Sequence, residues 1–172
     1  MLEMKNVTYI YEDQTVALKD ISMDLSKGSC IGIIGSNGAG KSTLFLNFTG
    51  VLKPKQGQIF YDEKPMKYDK ASLRELRKQV SIVFQDPDKQ IFFSKVYDDV
   101  AFALRNLGVD EKEINRRVNI ALASVGAKDF ADKPVHFLSH GQKKRVAIAG
   151  VIAMDSEIIF MDEPSAGLDP VA

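Results

Sequence analysis

Residues 35–42, Gly-Ser-Asn-Gly-Ala-Gly-Lys-Ser, constrain the fold more than any other stretch. They fit G-x-x-x-x-G-K-[ST], a loop pattern suited to holding phosphate. Before the loop, Cys30-Ile31-Gly32-Ile33-Ile34 reads as a short buried strand; after it, Thr43 to Phe48 reads as a helix. A triphosphate needs many donors and positive potential close to its oxygens. Gly38 and Gly40 let the backbone curl so that successive N–H groups point inward, and the helix N-terminus adds partial positive charge. The candidate phosphate-binding residues are therefore Gly35, Ser36, Asn37, Gly38, Ala39, Gly40, Lys41, Ser42 and Thr43. Lys41 would reach the β- and γ-phosphates, and the Ser42 hydroxyl would ligate Mg²⁺. A glycine-rich turn with a chance lysine is the bland alternative, and the flanking strand and helix weigh against it.

A chain of 172 residues corresponds to about one domain, and its 45% apolar content suits a packed core. Lys+Arg and Asp+Glu are each 23, so the net charge is zero and gives no support for nucleic acid as a partner. The single cysteine, Cys30, reads as a small core residue without a disulfide partner. The opening residues show no leader pattern. The longest strongly apolar stretch, Val146 to Met154, is far short of the ~20 residues a membrane span needs. The expectation is a soluble, cytosolic domain that works at a membrane only by docking on something embedded there.

Along the chain, residues 2–11 and Ala17 to Leu25 read as two hairpin-like strands, an antiparallel patch beside the main sheet. Gln58 to Tyr61 is a short strand. Ser72-Leu73-Arg74-Glu75 reads as a capping box opening a helix through Lys78. Val80 to Phe84 is a central strand ending at Gln85, and Asp86-Pro87-Asp88 breaks regular structure. From Val96 to Gly126 the period is helical. Asp110 with Glu113 marks a start, Ile114, Val118 and Leu122 form one face, and Gly126 is a C-cap. Ser139 opens one more helix, basic first and apolar later, whose N-terminus is fit to hold an anion. A final strand, Glu157 to Met161, runs into Asp162-Glu163. A buried strand that ends in two carboxylates places them at the edge of a parallel sheet where the phosphate loop also emerges. Asp162 is then a direct or water-mediated partner of Mg²⁺, and Glu163 would polarise the water that attacks the γ-phosphate.

Taken together these residues resemble the nucleotide-binding subunits of ABC transporters. Gly35 to Ser42 matches the Walker A motif, Ile158 to Glu163 Walker B with its catalytic glutamate, and Leu138-Ser139-His140-Gly141-Gln142 the signature motif. Gln85 matches the Q-loop glutamine, Gly167-Leu168-Asp169 the D-loop, and Tyr11 the aromatic that stacks on adenine, with Tyr9 as the alternative. Gln85 to Gln90, Asp99 to Phe102 and Gln142 to Gly150 are most similar to the energy-coupling-factor ATPases of the cobalt-import type.

The resemblance implies an α/β P-loop NTPase fold with a mixed, mainly parallel core sheet, an N-terminal antiparallel patch and a helical subdomain. It divides residues 1–172 into a core lobe, 1–86 and 137–172, and a helical subdomain, 87–136. It implies an ABC-type ATPase that energises an importer of cobalt or another micronutrient. Such a protein lies peripherally on the cytoplasmic face of the membrane, beside an integral membrane component. Two copies or two paralogues pair head to tail, so that ATP is held by Walker A of one and by Ser139, Gly141 and Gln142 of the other. Glu163 and Gln85 carry catalytic roles, and Mg²⁺ is held by Ser42, Gln85 and Asp162.

Two positions depart from the family pattern. His140 stands where the signature has its first glycine, and reads as a solvent-facing substitution. The family's switch-loop histidine has no counterpart, since His136 and His140 both lie upstream of Glu163. The expectation is a domain incomplete at its C-terminus, with an open sheet edge, marginally stable and close to inactive alone. The alternative reading is a nucleotide-binding module without turnover. A DNA-repair or chromosome-organising ATPase would carry a coiled coil between Walker A and the signature, and no sustained heptads occur there.

Overall fold

The structure is a computed structural model, and it describes residues 1–26, 30–164 and 166. The chain forms two compact units, Met1–Lys78 and Gln79–Ala172.

In the first unit, β1 (Leu2–Ile10) pairs antiparallel with β2 (Val16–Asp24) and with β3 (Gln56–Tyr61). β3 pairs in turn with the short β4 (Lys64–Pro65). Leu2 and Met4 are buried on β1, but the next buried residue is Val7, which breaks the two-residue alternation. Asn6 causes this phase change, because its backbone is left-handed at φ 50° and the register with β2 shifts between Met4 and Val7. The irregularity is held across the strands: Ser22 Oγ accepts from the Asn6 N–H, and Asn6 Nδ2 donates to Asp20 Oδ1, at 2.9 Å each.

α1 (Lys41–Phe48) buries Leu44, Phe45 and Phe48. α2 (Lys70–Gln79) starts earlier than the Ser72 to Glu75 pattern predicts. Asp69 is the capping residue, its carboxylate accepting from the Ser72 N–H at 3.0 Å and from Ser72 Oγ at 2.7 Å. A carboxylate at that position also meets the positive end of the helix dipole, and the Ser72 hydroxyl is itself a donor to it.

The predicted strand at Cys30 to Ile34 is absent. These residues form no regular structure, Ile34 is 99% exposed, and Cys30 is exposed rather than a core residue. No strand among the described residues pairs with the run, and a strand without a ladder leaves its backbone groups to water.

In the second unit, β5 (Val80–Val83) and β6 (Ile158–Met161) pair in parallel, Val80 opposite Ile158 and Val83 opposite Met161. Phe160 is buried, while Ile159 and Met161 on the other face are partly exposed. A parallel pair needs a long crossover, and here it carries α3 (Val96–Leu107), α4 (Glu111–Ser124) and α5 (His140–Ala153). Val96, Val100 and Leu104 of α3 meet Ile114, Val118 and Leu122 of α4 and Val146, Ala149 and Ala153 of α5 in one core. The Asp110 carboxylate caps α4 through the N–H groups of Lys112 and Glu113, as its position predicts. Gly126 ends α4 at φ 63°, and the bonds Gly126 N–H to Ala123 O and Ala127 N–H to Leu122 O close the helix. No helix among the described residues is long and apolar enough to cross a membrane.

Candidate functional site

The phosphate-loop residues are exposed up to Ala39 and turn into α1 through Gly38 (φ 80°) and Gly40 (φ 87°). At Gly40 a Cβ would lie 2.5 Å from the Ala17 carbonyl oxygen, so the loop presses on β2 where only glycine fits. Gly40 caps α1 without a side-chain bond, and the first helical hydrogen bond runs from Leu44 N–H to Gly40 O at 2.8 Å. The N–H groups of Lys41, Ser42 and Thr43 therefore have no helical carbonyl to meet, which leaves donors for an anion. Lys41 Nζ donates to Gly35 O at 2.9 Å and to Ser36 O at 3.0 Å, so the ammonium is held over the loop by the loop's own carbonyls. Those bonds are of the kind a phosphate oxygen would replace. Ser42 is exposed, with its hydroxyl in the first turn. Thr43 is buried, its Oγ1 within 2.8 Å of the Tyr11 hydroxyl. That bond anchors Tyr11 to the start of α1. Tyr9 packs edge-on against Tyr11, ring centroids 5.0 Å apart, and burial followed by the charge of Tyr11 raises the Tyr9 phenol above its ordinary value.

The second unit brings other predicted residues together. With Val83 opposite Met161, the parallel register carries Gln85 and Glu163 to equivalent positions past the strand ends. Gln85 Nε2 donates to Glu163 Oε2 at 2.7 Å. Asp162 continues the ladder, its N–H donating to Val83 O at 3.0 Å, and its side chain is buried. Glu163 has φ 45°, a left-handed backbone that costs a non-glycine residue on the order of 1 kcal/mol. Its carboxylate is thereby turned back to meet Gln85.

At α5 the expected cap is present in full. Ser139 Oγ accepts from the Gln142 N–H at 3.3 Å, and Gln142 Oε1 accepts from the Ser139 N–H at 2.9 Å. Gln142 thus shapes the helix start, and the Ser139 hydroxyl keeps its own proton to donate. His140 is exposed, as predicted. Asp86, Asp88 and His140 bring ligand atoms within 4.8 Å of one another, with Asp88 paired to Lys143 Nζ at 2.7 Å. The D-loop match, Gly167 to Asp169, lies outside the described residues.

Three residues that lie in the family-like stretches, but to which the sequence assigns no individual role, shape this region. Lys144 is fully buried and donates to Phe84 O at 2.8 Å and Gln85 O at 2.9 Å. Burial lowers its pKa, against the opposing pull of Asp162, Asp86 and Glu163. Gln90 Oε1 accepts from the Phe84 N–H at 3.0 Å. The Asp99 carboxylate, raised by burial, accepts from the N–H groups of Phe92 and Phe93 at 2.8 and 3.0 Å. A signal for Lys144 was available, because it falls three and seven positions before the buried Ala147 and Val151 on one helical face.

The family profile described as ABC transporter matches residues 18–166. The chain belongs to the ABC transporter family. The energy-coupling factor transporter ATP-binding protein EcfA of Methanocaldococcus jannaschii is 53% identical over 171 residues, 99% of this chain and 61% of that protein. The cobalt import ATP-binding protein CbiO of Salmonella paratyphi A is 49% identical over 99% of the chain and 62% of its own length. The chain thus spans about three fifths of these ABC relatives. Among solved structures, cbiO1 from Clostridium perfringens, described as part of the ABC transporter complex cbiONQ, superposes with a TM-score of 0.85 at 49% identity. That match covers 99% of this chain and 68% of that one. The dimeric ATP-binding cassette MJ0796, bound to ADP and Pi, gives 0.90 at 29% identity over 99% and 77% of the two chains. The ABC ATPase P-loop fold, with its antiparallel β unit and helical segment, is therefore established for this chain.

Proposed function

We propose that this chain is the ATP-binding and ATP-hydrolysing part of a subunit that energises an importer of the energy-coupling-factor class. The observation that carries the reading is the loop at 35–42, where the Lys41 side chain is held over a glycine-capped helix start that lacks helical acceptors for its N–H groups. The residue roles are Gly35, Ser36, Asn37, Gly38, Ala39, Gly40, Lys41, Ser42 and Thr43 on the phosphates, and Tyr11 on the adenine. Ser42, Gln85 and Asp162 are the residues that would hold Mg²⁺, each carrying an oxygen donor of the hard kind that it prefers. When bound, Mg²⁺ would neutralise charge developing on the phosphates. Glu163 accepts the proton of the attacking water, and Gln85 holds that carboxylate in place.

A second ATP-binding subunit, identical or paralogous, would contribute Ser139, Gly141 and Gln142. Support comes from the Ser139 hydroxyl, free to donate at a helix N-terminus, and from the dimeric state described for the MJ0796 cassette. The lobes would be 1–86 with 137–172 and, as helical subdomain, 87–136. An integral membrane component would dock on the aromatic face of that subdomain, at the cytoplasmic side of the membrane. Phe92 there is 77% exposed, and the Phe93 and Phe102 rings lie 5.0 Å apart beside it. The 49% identity to a cobalt-import protein favours cobalt or another micronutrient as cargo.

Calorimetry with MgATP on the wild-type chain and on Lys41→Ala tests the reading. Loss of a hydrogen bond to a charged group is worth about 1.5–3 kcal/mol, so affinity should fall roughly ten- to hundredfold. Equal affinity would overturn it. Phosphate release by the same samples separates a hydrolysing subunit from a module that binds without turnover.

A further inference from the structure

We propose that Lys144 is a positioning residue that fixes Gln85 opposite Glu163 and ties it to the Ser139 end of α5. The inference rests on the proposed function for the role given to Gln85, and on nothing else in it.

A lysine without solvent exposure is rare, and it persists only where its donors are satisfied. Lys144 Nζ donates to the carbonyls of Phe84 and Gln85, the first two residues after β5 ends at Val83. These groups lie past the strand ladder, so the lysine continues the restraint that β5 no longer supplies. The N–H of Phe84 donates to Gln90 Oε1, and Gln90 Nε2 donates to Ala147 O at 3.3 Å. Ala147 lies one turn beyond Lys144 on the same helix face. Lys143 adds a third tie through Asp88. The turn at 84–90 is thus fastened to α5 at its start, middle and end, while the Gln85 side chain reaches Glu163 at 2.7 Å.

The geometry has a mechanical consequence. α5 is one continuous helix from His140 to Ala153 with Ser139 as its cap, and Lys144 lies about one and a half turns along it. A displacement of the Ser139 end therefore reaches the Gln85 backbone through a rigid rod and two hydrogen bonds. A lysine that only filled space would be replaceable by methionine, which is one atom shorter and leaves the Phe84 and Gln85 carbonyls without that donor.

Peptide-resolved amide exchange decides between these roles, on the wild-type chain, Lys144→Met, Lys144→Arg and Gln90→Leu. In Lys144→Met, exchange over residues 84–91 should rise at least tenfold, with α3 unchanged. Lys144→Arg should recover part of the protection. Gln90→Leu, which cuts the second tie without removing the charge, should give a smaller rise in the same peptide, and serves if Lys144→Met does not fold. Unchanged exchange over 84–91 in the folded variants would overturn the proposal. MgATP calorimetry adds a cycle with Gln85→Ala. If Lys144 acts through Gln85, the double variant should bind no more weakly than the weaker single one, and binding without Mg²⁺ should stay at the wild-type level. Additive losses would overturn the proposal. A wild-type chain that does not bind MgATP would refute the proposed function, and the exchange result would still decide the role of Lys144.

Discussion

Two glycines of the phosphate loop share a left-handed backbone and differ in what surrounds them, so a pair of alanine substitutions separates strain from sterics. Gly38 has φ 80° and open space where a Cβ would go. Gly38→Ala should cost only the left-handed penalty, about 1–2 kcal/mol. Gly40 has φ 87°, and its Cβ would meet the Ala17 carbonyl oxygen at 2.5 Å and Leu18 Cδ2 at 3.2 Å. The leucine methyl can rotate away, but the carbonyl belongs to β2 and moves only with the strand. Overpacking of that kind adds roughly 1–3 kcal/mol. For a domain of this size each kcal/mol lowers the midpoint by about 2–4 °C. Thermal melts should therefore place Gly40→Ala several degrees below Gly38→Ala. MgATP titration should show the larger loss of affinity for the same variant, because the donors of α1 shift with the loop. Equal midpoints for the two variants would refute the argument that the loop is pressed on β2.

Glu163→Gln should retain ATP binding and lose phosphate release in an assembled subunit, since an amide cannot take up the proton of the attacking water; turnover at the wild-type rate would exclude Glu163 as the base. Tyr11→Phe removes the bond to Thr43 Oγ1, worth about 0.5–1.5 kcal/mol, and should weaken ATP and ADP slightly and equally, whereas Tyr11→Ala should weaken both strongly. A silent Tyr11→Ala beside a defective Tyr9→Ala in the same titration would move the adenine contact to Tyr9. Glu113 is held down to about 2 by hydrogen bonds from Arg116 and Arg117. Because its folded value lies below the unfolded one, its contribution is full at neutral pH and is lost as pH falls through the acid range toward about 2. Melts followed by circular dichroism should show Glu113→Gln below wild type at pH 7 and level with it near pH 2; a gap that persists in acid would contradict the assignment.

What was legible in the sequence is what short-range chemistry decides. Asp110 and Ser139 announce the starts of α4 and α5 because an N-cap needs only its own next three residues. Ile114, Val118 and Leu122 show their shared face by spacing alone. The residues that misled are those whose state depends on distant partners. Cys30 to Ile34 has the composition of a buried strand, but a strand also needs a neighbour, and none of the described strands pairs with it. The break at Asn6 does not stand out in a run that reads as continuous strand: asparagine tolerates a left-handed backbone, but the bonds with Ser22 and Asp20 that hold it there are set by a distant strand. Lys144 stands in the run Lys143-Lys144-Arg145, which reads as a basic helix start, although its place on the Ala147 face marks it for burial.

The Gln85 and Glu163 pair shows how a non-local site follows from a local rule once register is known. Neither residue contains a hint of the other in the sequence, and the crossover between them holds three helices. Parallel pairing of Val83 with Met161 settles the matter. The next step past each strand end places Phe84 level with Asp162, where the Asp162 N–H still finds Val83 O. The step after that places Gln85 level with Glu163. Adjacent strand ends in a parallel sheet thus deliver an amide and a carboxylate side by side without any loop having to reach. The left-handed turn at Glu163 then aims the carboxylate at the amide. A slip of one residue in the register would set Gln85 level with Asp162 or Pro164 and undo the contact. The buried Phe160 opposes that slip, since moving β6 by one position would place Met161 or Ile159 on its face instead. Core packing of β6 and the chemistry of the site therefore depend on the same register.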